Sequence, residues 1–347
     1  MAAIDEYLFD RAAQIAAQVN LPWAELDGKT VLVTGSTGLI GSQIVRTLLS
    51  RNDRVDAGIN VVLPVRNIKK AQTLFGDRSD VSVLEWSLDD ELEGPEHVDY
   101  VVHAACGTSS KSFLETPATT IMQIVHGGEA VLRYACSADA KKVLFLSTME
   151  VYGEVEGVAT EDNLGKLDPM VVRNSYPEAK RLVECLCASY ATEHGVPSVV
   201  MRLAQTFGEG VHPDDMRVFA DFGRHAIDGK DIVLLSDGLK RNGYLSVDDS
   251  VRAILIALVN GHSGEAYNAV NEDAYCSIRE MAQLVLDQFG AEGTQVRREF
   301  DPEREATFRK ASDLMLDPSK LKALGWEPND SLSDMYRAMI DCWSVHD

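Results

Sequence analysis

Thr30-Val-Leu-Val-Thr34 runs directly into Gly35-Ser-Thr-Gly38-Leu-Ile-Gly41, and a helical pattern follows from about Leu39 to Leu49. An apolar run closed by a glycine turn that opens a helix is the first half of a strand–helix–strand unit. Gly35 permits the tight turn, Gly38 lets the backbone approach a pyrophosphate, and Gly41 lets the helix lie close to the sheet. The helix N-terminus offers free N–H groups and the positive end of its dipole to the phosphates. This stretch assigns dinucleotide binding to Gly35, Thr37, Gly38, Leu39, Ile40 and Gly41.

Outward from the turn, apolar strands are expected at 59–65, 81–84, 98–103 and 143–147, with helices near 69–75 and 119–136. Near-continuous apolar strands alternating with helices indicate an α/β fold, a Rossmann-type doubly wound parallel sheet. A helix over 176–194 and a strand over 197–203 follow an acidic loop at 154–169. The expected organisation is an N-terminal helical extension at 1–28, packed outside the fold, and a dinucleotide-binding domain at 29–205. A smaller C-terminal α/β lobe at 206–347 mainly binds substrate, with segments returning to the sheet.

The chain has 347 residues, with 33 Lys and Arg against 54 Asp and Glu, a net charge of −21. So acidic a surface repels phosphate backbones and anionic lipid, so neither nucleic acid nor membrane is expected as a partner. Six cysteines, none in a C-x-x-C pair, exclude zinc and thioredoxin-like readings and point to reduced thiols of a cytoplasmic protein. No metal site is expected, and the acidic opening Met1-Ala-Ala-Ile-Asp-Glu6 does not read as a signal peptide.

After the second strand stands Val65-Arg66-Asn67, where an acidic residue often binds the ribose 2′-hydroxyl. Arg66 either pairs a 2′-phosphate, favouring NADP, or stacks on adenine or lies in solvent, so NAD and NADP both stay open. Further on, Ser175-Tyr-Pro-Glu-Ala-Lys180 places Tyr176 and Lys180 four apart on one helix face. An ammonium nearby would lower the phenol's pKa and make Tyr176 a general base for a hydroxyl. Upstream, Leu146-Ser-Thr-Met-Glu-Val-Tyr-Gly153 lies at a strand's C-terminal end, where ligands of open α/β sheets bind. There Thr148 can hydrogen-bond the reacting hydroxyl, and Glu150 offers a second acid/base group.

The glycine turn, His103-Ala-Ala-Cys106, Ser-Thr-x-x-Val-Tyr-Gly and Tyr-x-x-x-Lys, in this order, resemble the extended short-chain dehydrogenase/reductase family. These are NAD-dependent nucleotide-sugar epimerases, dehydratases and decarboxylases. The resemblance covers roughly residues 28–340. It implies a bound nicotinamide cofactor, a nucleotide-sugar substrate and a homodimer built from the helices near 119–136 and 176–194. It also implies cofactor contacts from Arg66, Asn67, Ser87, Leu88, Ala104, Ala105, Tyr176 and Lys180, and substrate contacts from Ser109, Ser110, Gln205, Arg217 and Arg241.

Within the family, His103 to Pro117, Arg202 to Gly208 and Thr148-x-Glu150 resemble the UDP-glucuronate decarboxylases. The 4,6-dehydratases carry an Asp where this chain has Met149, which cannot donate a proton. Ser87, Ile124, Gln205 and Asn242 depart from the family pattern and bear on substrate identity. The implied activity is transient oxidation of a sugar at C4, with UDP-glucuronate decarboxylation first, 4-epimerisation next and 4,6-dehydration after it. Arg217, Arg241 and Arg173 are candidates for a diphosphate or a carboxylate. Carbonyl reduction with net cofactor turnover is a further reading, and a non-catalytic NAD(P)-bound sensor or scaffold is the reading from a different class.

Overall fold

The computed structural model describes residues 2–107, 110–299 and 313–345. Helices α1 (Ala2–Ala16) and α2 (Trp23–Leu26) lead into β1 (Thr30–Thr34), α3 (Leu39–Val55), β2 (Asn60–Val65), α4 (Ile68–Phe75), β3 (Val81–Glu85) and β4 (Tyr100–His103). Then come α5 (Ser110–Glu115), α6 (Pro117–Ser137), β5 (Lys142–Thr148), β6 (Val158–Ala159), α7 (Ser175–Glu193), β7 (Ser198–Leu203) and β8 (Gln205–Phe207). The rest comprises α8 (Val218–Ile227), β9 (Ile232–Leu234), β10 (Arg241–Ser246), α9 (Val247–Asn260), β11 (Glu265–Ala269), β12 (Asn271–Ser277), α10 (Ile278–Phe289), β13 (Val296–Arg298), β14 (Met315–Leu316) and a C-terminal helix, Leu332–Ser344.

Seven parallel strands form the main sheet, in the order β11-β7-β5-β4-β1-β2-β3. A parallel sheet needs cover on both faces, which is why its strands lack polar alternation. One face is buried by α3 and α9, the other by α6 and α7. Helices α6 and α7 pack closely because Gly128 has no side chain; a Cβ there would lie 2.6 Å from Val183 Cγ1. The strand order reverses between β1 and β4, which opens a crevice at their carboxyl ends.

The second layer of the molecule is a lobe built on the sheet β12-β10-β8 and the pair β9–β13. Its core of Phe207, Phe219, Phe222, Tyr244, Tyr336 and Trp343 is buried among α8, α10 and the C-terminal helix. Leu39, the first residue of α3, packs against this core. Strand β12 is not among the strands expected from the sequence. Asn-Glu-Asp-Ala-Tyr-Cys-Ser has no apolar run, and antiparallel pairing with β10 makes it a strand.

Helix α1 is more deeply engaged than an outer appendage. Ala12, Ile15 and Ala16 are buried, and the helix lies against α3, α9 and the C-terminal helix. Arg46 of α3 pairs with Asp5 at 3.2 Å, and its guanidinium sits 5.6 Å from the Phe9 ring centroid.

Candidate active site

The glycine turn has the shape a pyrophosphate cradle requires. Gly35 has φ +68°, and a Cβ there would lie 2.6 Å from the Ala104 carbonyl. A Cβ on Gly41 would meet the Gly35 oxygen at 2.2 Å. Helix α3 begins at Leu39 with no side-chain cap and no acidic residue in its first turn, so no capping side chain competes with a ligand for its leading amides. These features fit a dinucleotide phosphate. Gly41→Ala is expected to lose cofactor affinity by about 100-fold or more, since backbone must shift to admit the methyl group; the position of NADH fluorescence titrations checks this.

Around the cradle, Thr34 Oγ1 lies 2.8 Å from His103 Nδ1 and accepts from the Ala105 amide at 3.1 Å, tying the ends of β1 and β4 together. His103 is buried, and burial together with the Lys180 charge pushes its pKa down to about 3, so the ring is neutral. Lys70 Nζ donates to the Thr37 carbonyl at 3.0 Å, beside the turn. Arg66 is exposed after β2, and Asn67 caps α4 by accepting from the Lys70 amide. Ser87 and Leu88 are half-buried after β3, with Leu88 against Gly127 of α6.

The chemistry-bearing residues converge from β5, the 3-10 turn Met149–Tyr152, α5 and the start of α7. Thr148 ends β5 and accepts from the Glu150 amide at 3.2 Å, which aims both side chains from one tight turn. Tyr176 and Lys180 sit on the buried face of α7. Lys180 Nζ donates to the Leu146 carbonyl at 2.7 Å and lies 6.0 Å from the Tyr176 ring centroid. Phe113 of α5 stacks on Tyr176 with centroids 4.4 Å apart at 14°. The Arg173 guanidinium also lies over Phe113, 5.2 Å from the ring centroid. Arg173 also grips Glu150 through both its terminal nitrogens, at 3.0 and 2.9 Å.

The expected lowering of the Tyr176 pKa is overturned in this state. Burial pushes the phenol well above its ordinary value, and the charges of Cys106 and Glu150 push it further. A hydrogen bond with Thr148 and the Arg173 charge act in the opposite direction but do not prevail. The Lys180 ammonium faces the Leu146 carbonyl and the face of the Phe145 ring, 4.5 Å from its centroid, which turns it from the phenol.

Behind this cluster, Glu184 lies one helical turn after Lys180. It pairs with Arg202 of β7 at 2.9 Å and accepts from Ser147 at 2.5 Å. Arg202 also donates to Tyr152, whose hydroxyl donates to Asn268 at 2.7 Å.

The substrate-side residues are less gathered. Gln205 opens β8, alongside Tyr244 of β10. Arg217, expected to hold a diphosphate, is instead clasped by Asp215 at 2.6 Å and lies over Phe219. Arg241 pairs with Glu280 at 2.8 Å and lies over Tyr275. Ser109 falls outside the described residues, and Ser110 opens α5. Phe113 carried no signal in the sequence, because an aromatic in a short helix reads as core. Among the described residues no group of His, Cys, Asp or Glu could hold a metal ion, and no helix is long and apolar enough to cross a membrane.

The chain is 29% identical over 326 residues to the low-salt glycan biosynthesis protein Agl12 of Haloferax volcanii, covering 90% of this chain and 97% of that one. It is 28% identical to UDP-glucuronic acid decarboxylase 1 of Xenopus tropicalis, over 88% of this chain and 70% of that one. The structure matches DesIV, a dTDP-glucose 4,6-dehydratase from Streptomyces venezuelae solved with NAD bound, with a TM-score of 0.72 and 25% identity over 91% of this chain and 97% of that one. Enzymes populate this set, and the sensor reading has no support from it. Residues 31–271, from β1 to the start of β12, match the model of one family, and the chain belongs to it: the NAD dependent epimerase/dehydratase family.

Proposed function

We propose that the protein decarboxylates a nucleotide-linked uronic acid, best UDP-glucuronate, through transient oxidation at sugar C4. The observation that carries this reading is the Arg173–Glu150 pair beside Thr148 and Tyr176. A sugar carboxylate entering next to Glu150 meets like charge, and Arg173 is the group there that compensates it. Met149 supports the same reading, because it leaves the position between Thr148 and Glu150 without the acid that 4,6-elimination uses.

Thr148 orients the C4 hydroxyl, and Tyr176 takes its proton. Lys180, with one of its three N–H donors on Leu146, directs the others to the cofactor ribose. Arg173 must divide its donors between Glu150 and the sugar carboxylate. The glycine turn would hold NAD, which would supply reversible hydride acceptance, so that no net redox would result. The C5 carboxylate of the 4-keto sugar is that of a β-keto acid: its C–C bond breaks, CO₂ leaves, and the electron pair enters the C4–C5 enolate. Glu150 manages the proton that C5 then gains, and Tyr176 gives back the proton at the C4 oxygen.

This reading also makes the protein a cytoplasmic homodimer, with α6 and α7 presenting exposed Met122 and Leu182 to the partner copy. The test is incubation of the NAD-loaded protein with UDP-glucuronate, following CO₂ and UDP-pentose. Arg173→Ala is expected to cut kcat/KM for this substrate about 100-fold, the loss of one charge-assisted contact of about 3 kcal/mol. Absence of CO₂, with 4-epimers formed from neutral UDP-sugars, would replace decarboxylation by epimerisation.

A further inference from the structure

Glu209 follows the β8 strand and is fully buried, yet neither of its carboxyl oxygens meets a protein donor. Its neighbour is another buried carboxyl, Asp248 at the start of α9, and a hydrogen bond joins the two when one carries a proton. Arg11 of α1 faces the pair, 2.6 Å from Asp248, 3.8 Å from Glu209 and 4.0 Å from Asp330. Gln43 of α3 bonds both Asp248 and the Leu8 carbonyl at 3.4 Å, joining α3, α1 and α9 at one point. Next to Glu209, Gly210 lies against Leu8 of α1 and against Leu39, the residue that follows Gly38 in the cofactor turn; a Cβ there would stand 3.4 Å from Leu39 Cδ1 and 3.6 Å from Leu8 Cδ2.

We propose that α1 is a strap that keeps the cofactor turn in its binding shape, and that the Glu209–Asp248 pair bridged by Arg11 loosens it on losing its shared proton. Arg11 and Glu209 are thus positioning residues that act through Gly210 and Leu39. The proposal rests on NAD binding at the glycine turn.

The electrostatics give the sign. Tyr7 and Arg11 face the cluster from α1, and Gln43 and Arg46 from α3. Asp248 and Arg252 face it from α9, Asp330 from the segment before the C-terminal helix, and Asp341 and Cys342 from that helix. Carboxylates outnumber the cations that reach the pair. Burial, then the charge of Asp248, push Glu209 well above the usual glutamate range. A raised folded-state pKa stabilises fully below the ordinary glutamate value, and that stabilisation fades as pH rises through the raised one.

The experiment is hydrogen exchange of the α1 amides, corrected for intrinsic rate, with NADH titration of the same samples at pH 6 and pH 9. In the wild type both quantities are expected to change about tenfold together: exchange quickens and NADH binds more weakly at pH 9. The isosteric Glu209→Gln keeps a hydrogen bond to Asp248 without a titrating proton, and is expected to show the same exchange and affinity at both pH values. Arg11→Gln is expected to show fast exchange and weak binding at both. A wild type with no pH change in α1 exchange, or a Glu209→Gln that keeps the wild-type pH profile, overturns the switch. Exchange that quickens with no change in NADH affinity overturns the link to the turn. Failure of the wild type to bind NADH at pH 6 would be failure of the cofactor reading, and α1 exchange still decides the switch.

Discussion

Tyr176→Phe is expected to lower turnover about 10³-fold or more, with the fold and cofactor affinity retained. The substitution deletes a single hydroxyl. The ring stays stacked on Phe113, and the Lys180 contact to the Leu146 carbonyl is untouched. What disappears is the atom proposed to take the C4 proton, so on that reading the loss falls on kcat and leaves NADH affinity near the wild-type value. Single-turnover hydride transfer, read from NADH absorbance, isolates that step. Residual turnover above a tenth of wild type would show that another group takes the proton. Since burial raises the Tyr176 pKa, the proposed role as base requires that bound cofactor would add positive charge near the phenol. The pH profile of bound enzyme should therefore show the phenol ionising at a lower pH than the free protein does.

Glu184→Ala is expected to destabilise the protein by about 3–5 kcal/mol, the cost of leaving a buried charge unpaired. Arg202 is buried on β7, and although burial works against its charge, its bonds to Glu184 and Tyr152 keep it firmly protonated. With Glu184 gone the guanidinium keeps only Tyr152 and the Glu161 carbonyl, and the Ser147 hydroxyl loses its acceptor beside Thr148. Replacing both partners, Glu184→Met with Arg202→Met, should recover most of the loss, because it is the unpaired charge and not the absent bridge that destabilises. Urea unfolding of the single and double variants decides this. A double variant no more stable than Glu184→Ala would mean that the wider Tyr152–Asn268 network, and not the ion pair, sets the cost.

The main sheet was legible because its parallel strands are buried on both faces and so appear as uninterrupted apolar runs. The glycine turn was legible because Gly35 and Gly41 answer to steric limits that leave no other residue type. Tyr176, Lys180, Thr148 and Glu150 stood out through the order of the motifs that carry them, since neither a Tyr-x-x-x-Lys spacing nor a loop glutamate is specific alone. Strand β12 and the lobe around it did not, since its mixed polar residues acquire strand geometry only by pairing with β10.

By itself, then, the sequence determined the doubly wound sheet, the cofactor turn and the Tyr/Lys pair, all of which are local: backbone sterics and short-range periodicity write them into neighbouring residues. Only the tertiary structure decided which charges meet. Arg173 was a basic residue of open role until it closed on Glu150, and the ligand candidates Arg217 and Arg241 pair with Asp215 and Glu280. Arg11 and Glu209 lie far apart in the chain and carry no shared motif, yet Arg11 faces the buried carboxyl pair that Glu209 forms with Asp248. Charge–charge energies depend on separation and burial, and neither is a property of the chain before it folds.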